Sequence, residues 1–281
     1  GTGQSLFGWL AGVEDYITVV GYSDVEGWQG LWPAEVHVIG KDILRFHAGI
    51  WPAMLMGLEL PLPKKILVHG FVNVGGVKQS KSLGNGVDPN AVIDSYGVDA
   101  FRYFFSRHIP TLDDADFTWE KFEIAYNTEL GNDLGNLVQR VTSMITRYQS
   151  GVIGDAPQGE HDMRRYHEAI TSLNFNLAVD EVWAMVRSIN QYIESVKPWE
   201  IAKNKDKDTD AEGHLAEVLA HAVGGLLQIA DLLVPFLPGT AKAIHASFET
   251  GVVVPQGVLF PKIYLHTADP RAPKIAPVPE V

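Results

Sequence analysis

The sequence predicts an α/β domain followed by an all-α domain, with helix dominant, and three observations predict it. Two short apolar runs rich in β-branched residues, Glu35–Ile39 and Lys65–Val72, each lead through glycine into a helical pattern. From Trp119 onward, leucine-rich stripes recur at helical spacing with short connections, the pattern of an antiparallel bundle. At 281 residues, 46% hydrophobic and 20% charged, the chain is long enough and apolar enough for about two domains with cores of their own.

In chain order, Leu6 to Gly21 carries Phe7, Trp9, Leu10, Val13, Tyr16, Ile17, Val19 and Val20 and reads as one helix. Glu35–Ile39 is a short strand, Gly40 a turn, and the helix after it runs to about Leu58. A strand whose carboxyl end meets a glycine turn and a helix is where α/β sheets bind ligands. On that helix Ile43, Phe46 and His47 share a face, an apolar wall with one imidazole whose plain reading is a core stripe with a satisfied histidine. Lys65–Val72 reads as a buried strand. Beyond it Lys78, Ser80, Lys81 and Ser82 set two ammonium groups and two hydroxyls on a loop fenced by Gly75, Gly76, Gly84 and Gly86. Such a loop can swing over a phosphate, although the same residue types also make an ordinary solvated turn. Asp88 is an N-cap and Pro89 the first helical residue of the next element.

His108 to Thr118 is an acidic, turn-rich link. In the helical remainder Tyr126–Tyr148 keeps Leu130, Leu134, Leu137, Val138, Val141, Met144 and Ile145 on one stripe. Further helices are expected over Met163–Ser172, Leu177–Val196 and Leu215–Pro235, with loops at Gly151–Gly159 and Lys203–Gly213. The longest apolar stretch, Val218–Ile244, is broken by Gln228, Asp231, Pro235 and Pro238, so it reads as a core helix and not a membrane span. The expected boundaries are a first domain over 1–115, a helical domain over 116–265 and a proline-rich tail over 266–281. There is no internal repeat.

A formal net charge of −12 argues against indiscriminate nucleic-acid binding, so any RNA contact must come from local patches. With no cysteine in the chain, a disulfide framework and a thiolate zinc site are excluded from it, and the ten histidines have no metal-ligand spacing. No secretory signal opens the sequence. Gly1-Thr2-Gly3-Gln4-Ser5 fits an excised boundary, and a cytoplasmic location is expected.

Lys78-Gln79-Ser80-Lys81-Ser82 resembles the second signature loop of class I aminoacyl-tRNA synthetases, Lys-Met-Ser-Lys-Ser, with Gln79 where methionine is common. Leu83-Gly84-Asn85-Gly86-Val87-Asp88-Pro89 and Tyr96-Gly97-Val98-Asp99-Ala100-Phe101-Arg102-Tyr103 continue the likeness. Gly40-Lys41-Asp42-Ile43-Leu44-Arg45-Phe46-His47, Trp51-Pro52-Ala53-Met54-Leu55 and Leu60-Pro61-Leu62-Pro63 sharpen it to the methionyl-tRNA synthetase family. The resemblance implies part of a Rossmann-like catalytic domain followed by an anticodon-binding helical bundle, in a ligase that forms methionyl-adenylate and transfers methionine to tRNA.

What it implies for residues is specific. Lys81, and secondarily Lys78, with Ser80 and Ser82 on the same loop, would meet the charge that grows on the pyrophosphate side. Gly40, Asp42 and Lys81 would bind ATP, Asp42 at the ribose. Trp9, Tyr16, Ile43, Phe46 and His47 would line the methionine pocket, although Ala11 and Gly12 depart from the acidic residue and alanine usual between the first two. Asn136 and Arg140, one helical turn apart, would read the CAU anticodon with Trp199, and Gly257–Ile263 resembles the segment that closes the helical domain. ATP with Mg2+, methionine and tRNA-Met are the implied ligands and partners, with no zinc on this chain and no membrane. No His-x-Gly-His signature stands anywhere in the sequence, so the likeness is to the C-terminal portion of the enzyme. Two alternatives stay open: a tRNA-binding module without catalysis, and another class I synthetase such as one for valine, leucine or isoleucine, which shares the loop but not Phe46-His47 with Asn136, Arg140 and Trp199.

Overall fold

The computed structural model describes residues 32–78, 87–154, 159, 161–204 and 210–267. The chain forms two compact units, one of residues up to Val72 together with Pro110–Ala115, the other of Asn73–Ile109 and everything from Asp116.

In the first unit β1 (His37–Gly40) and β2 (Ile66–His69) pair in parallel, with His37 opposite Ile66 and Gly40 opposite His69. Parallel pairing needs a long crossover, and the helical stretch between them supplies it. That stretch is not uniform. A 3₁₀ turn (Lys41–Ile43) passes into a π-helical turn (Phe46–Ile50) and then α1 (Trp51–Gly57). Trp32, Trp51 and Leu55 are buried together with Leu60 against them, and the Trp32 indole donates to the Pro61 carbonyl at 3.0 Å.

The strand expected over Lys65–Val72 breaks at Gly70. A Cβ there would stand 2.1 Å from the Asp113 carbonyl oxygen, so only glycine admits the crossing backbone, and β2 stops at His69. The Asp114 carboxylate accepts from Phe71 N–H at 2.7 Å and binds the Lys41 ammonium at 2.5 Å, which also sits 4.4 Å over the Phe71 ring. The chain then resumes as β3 (Val72–Val74), and β4 (Val77–Lys78), β3 and β5 (Ala115–Phe117) form a small sheet in that order.

The second unit is mainly helical. In α2 (Pro89–Tyr96) the Asp88 side chain accepts from Asn90 N–H at 2.9 Å and Pro89 opens the first turn, as expected. Gly97, at φ 87°, ends α2 and starts α3 (Val98–Arg107) in a conformation suited to glycine. Thr118 caps α4 (Trp119–Ala125). The helix expected over Tyr126–Tyr148 is π-helical over Tyr126–Gly135 before regular α5 (Asn136–Tyr148). The widened turn is held from outside: the Asn127 amide donates to Ile263 O at 2.6 Å and accepts from Ile263 N–H at 3.1 Å, while the Lys262 ammonium takes the Asn127 carbonyl and Asn132 Oδ1.

Then follow α6 (Arg164–Thr171), α7 (Phe175–Val196), the short α8 (Pro198–Lys203), α9 (Ala211–Leu233) and α10 (Pro238–Phe248). Helix α9 packs on α5, α7, α8 and α10, and Gly225 lets it approach α7 so closely that a Cβ there would meet Ile189 Cδ1 at 2.5 Å. Among the described residues it is the one helix long and apolar enough to cross a membrane, and 67% of its apolar window is buried, so the bundle core accounts for its composition.

Two carboxylates join distant elements. Asp99 on α3 caps α10, accepting from Thr240 N–H at 2.5 Å, Thr240 Oγ1 at 2.7 Å and Gly239 N–H at 3.3 Å. Glu123 on α4 is fully buried and accepts from Tyr96 O–H at 2.7 Å, Leu265 N–H at 2.5 Å, His266 N–H at 3.0 Å and Thr267 Oγ1. Burial alone would raise its pKa, but those four donors outweigh burial and hold the carboxyl at about 2.

Candidate functional site

In the first unit the candidate site lies at the carboxyl end of β1, where Gly40 pairs with His69. Gly40 leaves room for Asp42, whose Oδ1 would be 2.7 Å from a Cβ at that position, and the Asp42 side chain is exposed. A free carboxylate over a strand end can accept from ligand hydroxyls. One turn on, Ile43 and Phe46 are half-buried and His47 is buried at 7% exposure.

His47 packs against the rings of His37 and Trp51. Its Nε2 is 2.9 Å from Nδ1 of His37, and its ring centre is 4.7 Å from Trp51 and 5.0 Å from His37. Trp51 also lies 4.9 Å from His37 and 5.7 Å from Trp32. Burial pushes His47 below the ordinary imidazole range; burial and then the neighbouring His47 do the same to His37. Both imidazoles are therefore neutral near pH 7, so this cluster of rings is polar without being charged.

The lysine–serine loop lies largely outside the described residues. Lys78 ends β4, where its backbone pairs with Asn73; Ser80, Lys81 and Ser82 lie outside, as do Trp9 and Tyr16.

In the second unit, Asn136 opens α5 and is exposed, and Arg140 follows one turn later. Lys197, in the left-handed region at φ 51°, ends α7 and turns the chain into α8, which brings Trp199 to Arg140. The guanidinium lies 5.3 Å from the Trp199 ring centre and binds Glu194 at 2.6 Å. Asn132, Asn136, Gln139, Arg140, Ser143 and Asn190 line an open polar depression of about 400 Å³. With its charge met by Glu194, Arg140 is better suited to base edges than to phosphate, and a half-buried indole beside it offers a stacking face.

A model of the family "tRNA synthetases class I (M)" matches residues 1–142, half of the chain. The chain belongs to that family. It is 40% identical over 251 residues to the methionine–tRNA ligase of Caldanaerobacter subterraneus subsp. tengcongensis, covering 84% of this chain and 39% of that protein. Against methionine–tRNA ligase 1 of Bacillus cereus it is 40% identical over 269 residues, 87% of this chain and 40% of the relative. The chain thus spans about 40% of the length of these curated relatives. Among solved structures, methionyl-tRNA synthetase of Mycobacterium tuberculosis bound by methionyl-adenylate superposes with a TM-score of 0.78 at 31% identity, covering 88% of this chain and 54% of that one. Its free form gives 0.77 at 28% identity.

Some residues of this class I synthetase chain that shape the candidate sites carry no site role in the sequence reading, Trp51 being there only as part of a motif. His37 and Trp51 enclose His47, and Glu194 anchors Arg140. His37 had a signal of a kind, a polar residue inside an apolar strand. Glu194 had none, because a glutamate on a helix face is ordinarily solvated.

Proposed function

We propose that the whole protein of which this chain forms part is a methionine–tRNA ligase, forming methionyl-adenylate from methionine and ATP and transferring methionine to tRNA-Met in the cytoplasm. The observation that carries this reading is the buried, neutral His47 walled by Trp51, in the helix that starts where exposed Asp42 stands at the carboxyl end of β1. An aromatic wall whose polar groups are uncharged imidazoles suits a thioether side chain, and a carboxylate at the strand end suits a ribose.

On this reading Asp42 holds the ribose hydroxyls beside Gly40, and Ile43, Phe46 and His47, with Trp9 and Tyr16, bind the methionine side chain. Lys81, then Lys78, flanked by Ser80 and Ser82, offset charge on the departing pyrophosphate. ATP arrives as its Mg2+ complex, so the metal is part of the substrate. In the bundle Asn136, Arg140 and Trp199 take the anticodon, Trp199 by stacking and the other two at base edges. The domain limits 1–115, 116–265 and 266–281 divide these tasks.

Two measurements test the reading. The full-length protein should catalyse methionine-dependent ATP–pyrophosphate exchange, and His47→Ala should raise the methionine KM while leaving that for ATP alone; an unchanged methionine KM would remove His47 from the pocket. This chain, titrated at fixed moderate salt with a CAU stem-loop and one of altered anticodon, should prefer CAU. Equal binding would leave a tRNA-binding module without anticodon choice.

A further inference from the structure

We propose that His37 is a positioning residue for methionine selection, fixing the tautomer and the ring orientation of His47 without itself touching the amino acid. The inference rests on the reading of His47 as a wall of the methionine pocket.

His37 Nδ1 and His47 Nε2 are 2.9 Å apart, a hydrogen-bond distance between two ring nitrogens. Such a contact requires one nitrogen to carry the proton and the other to present its lone pair. The tautomers of the two rings are therefore linked. If His37 Nδ1–H donates, His47 Nε2 is the acceptor and the neutral His47 carries its proton on Nδ1. If His47 Nε2–H donates, its Nδ1 carries the lone pair. In both cases Nε2 is committed to His37, and the state of His47 Nδ1 follows from the state of His37.

The orientation is fixed by the same neighbours. Trp51 lies 4.7 Å from the His47 ring and 4.9 Å from the His37 ring, so one indole flanks both, and Trp32 meets His37 edge-on at 5.9 Å. His37 is held in turn by the sheet, its N–H donating to Lys65 O at 2.9 Å in register with Ile66. A flip of His47 would put Cε1 where Nε2 stands and lose the contact to His37.

The chemical consequence concerns sulfur. A thioether is a weak acceptor and a methylene is none. In the state in which His37 Nδ1–H donates, His47 Nδ1–H is a fixed donor, and a wall with a fixed donor discriminates methionine from norleucine, its isostere with CH2 in place of sulfur, whereas a freely flipping imidazole discriminates less. The structure thus assigns His37 to the choice between sulfur and methylene, and to no part of ATP binding.

The test is methionine-dependent and norleucine-dependent ATP–pyrophosphate exchange by the full-length protein, its His37→Ala variant and its His37→Asn variant, the Asn amide offering a nitrogen and an oxygen close to the place of Nδ1. His37→Ala should raise the methionine KM about three- to tenfold, the range for one lost hydrogen bond, with the ATP KM unchanged and the methionine-to-norleucine preference reduced by a similar factor. His37→Asn should recover methionine KM to within about twofold of the parent. The preference is a ratio measured within one preparation, so partial misfolding of a variant does not alter it. Nitrogen-15 spectra of His47 should show one tautomer in the parent and a mixture in His37→Ala. An unchanged methionine-to-norleucine preference in His37→Ala overturns the inference, as does an equal rise in both KM values with no recovery in His37→Asn. Absence of methionine-dependent exchange in the parent overturns the underlying reading and this inference with it.

Discussion

Arg140 on α5 lies 5.3 Å above the ring of Trp199 on α8, the short helix that Lys197, in the left-handed region, turns off from the end of α7. Neither side chain is part of the bundle core, which is built from residues such as Trp183, Leu130 and Ile189. Binding and stability are therefore separable here. Trp199→Ala and Arg140→Ala should each weaken binding of a CAU stem-loop by about 1–3 kcal/mol, the range for a stacked base, at fixed salt. Thermal melting of the same variants should stay close to the parent; a large loss of Tm would make the pair structural.

Glu123 predicts an acid sensitivity of defined sign. Its folded pKa of about 2 lies below the ordinary glutamate value, so the unfolded chain binds the proton first. The stability it contributes is complete above about pH 5 and is lost as pH falls through the fours and threes toward 2. Glu123→Gln should flatten that part of the stability-against-pH curve, and Glu123→Ala, which leaves Tyr96 O–H and two backbone N–H groups without their acceptor, should cost about 2–4 kcal/mol in denaturant unfolding at pH 7.

Asp99 caps a helix more than a hundred residues away in sequence. Asp99→Ala should destabilise the helical unit by about 1–2 kcal/mol, and Asp99→Asn by less, because the amide oxygen still accepts from Thr240 and Gly239. Hydrogen exchange should localise the change to the first turn of α10.

Two glycines on α9 should respond in opposite directions. Gly225→Ala places a methyl 2.5 Å from Ile189 Cδ1 in a filled core, with an expected cost of about 1–3 kcal/mol. Gly213 has no heavy atom within 4 Å of a Cβ at its position, so Gly213→Ala should gain about 0.5–1 kcal/mol from helix propensity alone. A paired measurement of Tm checks both.

What could be read from the sequence follows the range of each signal. Asp88-Pro89 marks a helix start because the cap and the proline act within a few residues, and the stripe from Leu130 to Ile145 marks a buried face because periodicity is local. The π-helical turn at Tyr126–Gly135 is hidden because its cause, the pairing of Asn127 with Ile263, lies 136 residues along the chain. The break at Gly70 is hidden for the same reason, since Asp113 enforces it from another segment. At the candidate sites, Ile43, Phe46, His47 and Asp42 are legible as a motif, and Asn136, Arg140 and Trp199 as a set. The contacts from His37 and Glu194 that orient two of them need coordinates. Trp9, Tyr16 and Lys81 fall outside the described residues.

The buried carboxylate of Glu123 also sets an order of events during synthesis. Its partners at Leu265, His266 and Thr267 leave the ribosome more than a hundred residues after it does. Until then the Glu123 carboxylate has only Tyr96 O–H of its four donors, and the widened turn after it lacks the Asn127–Ile263 pairing. Contacts of such sequence separation are slow to form and leave partly assembled helices exposed meanwhile. The bundle is accordingly a closed ring in its energetics, with its last ten described residues acting as the clasp, and a chain released before Thr267 would hold every helix of the bundle and still lack its fastening.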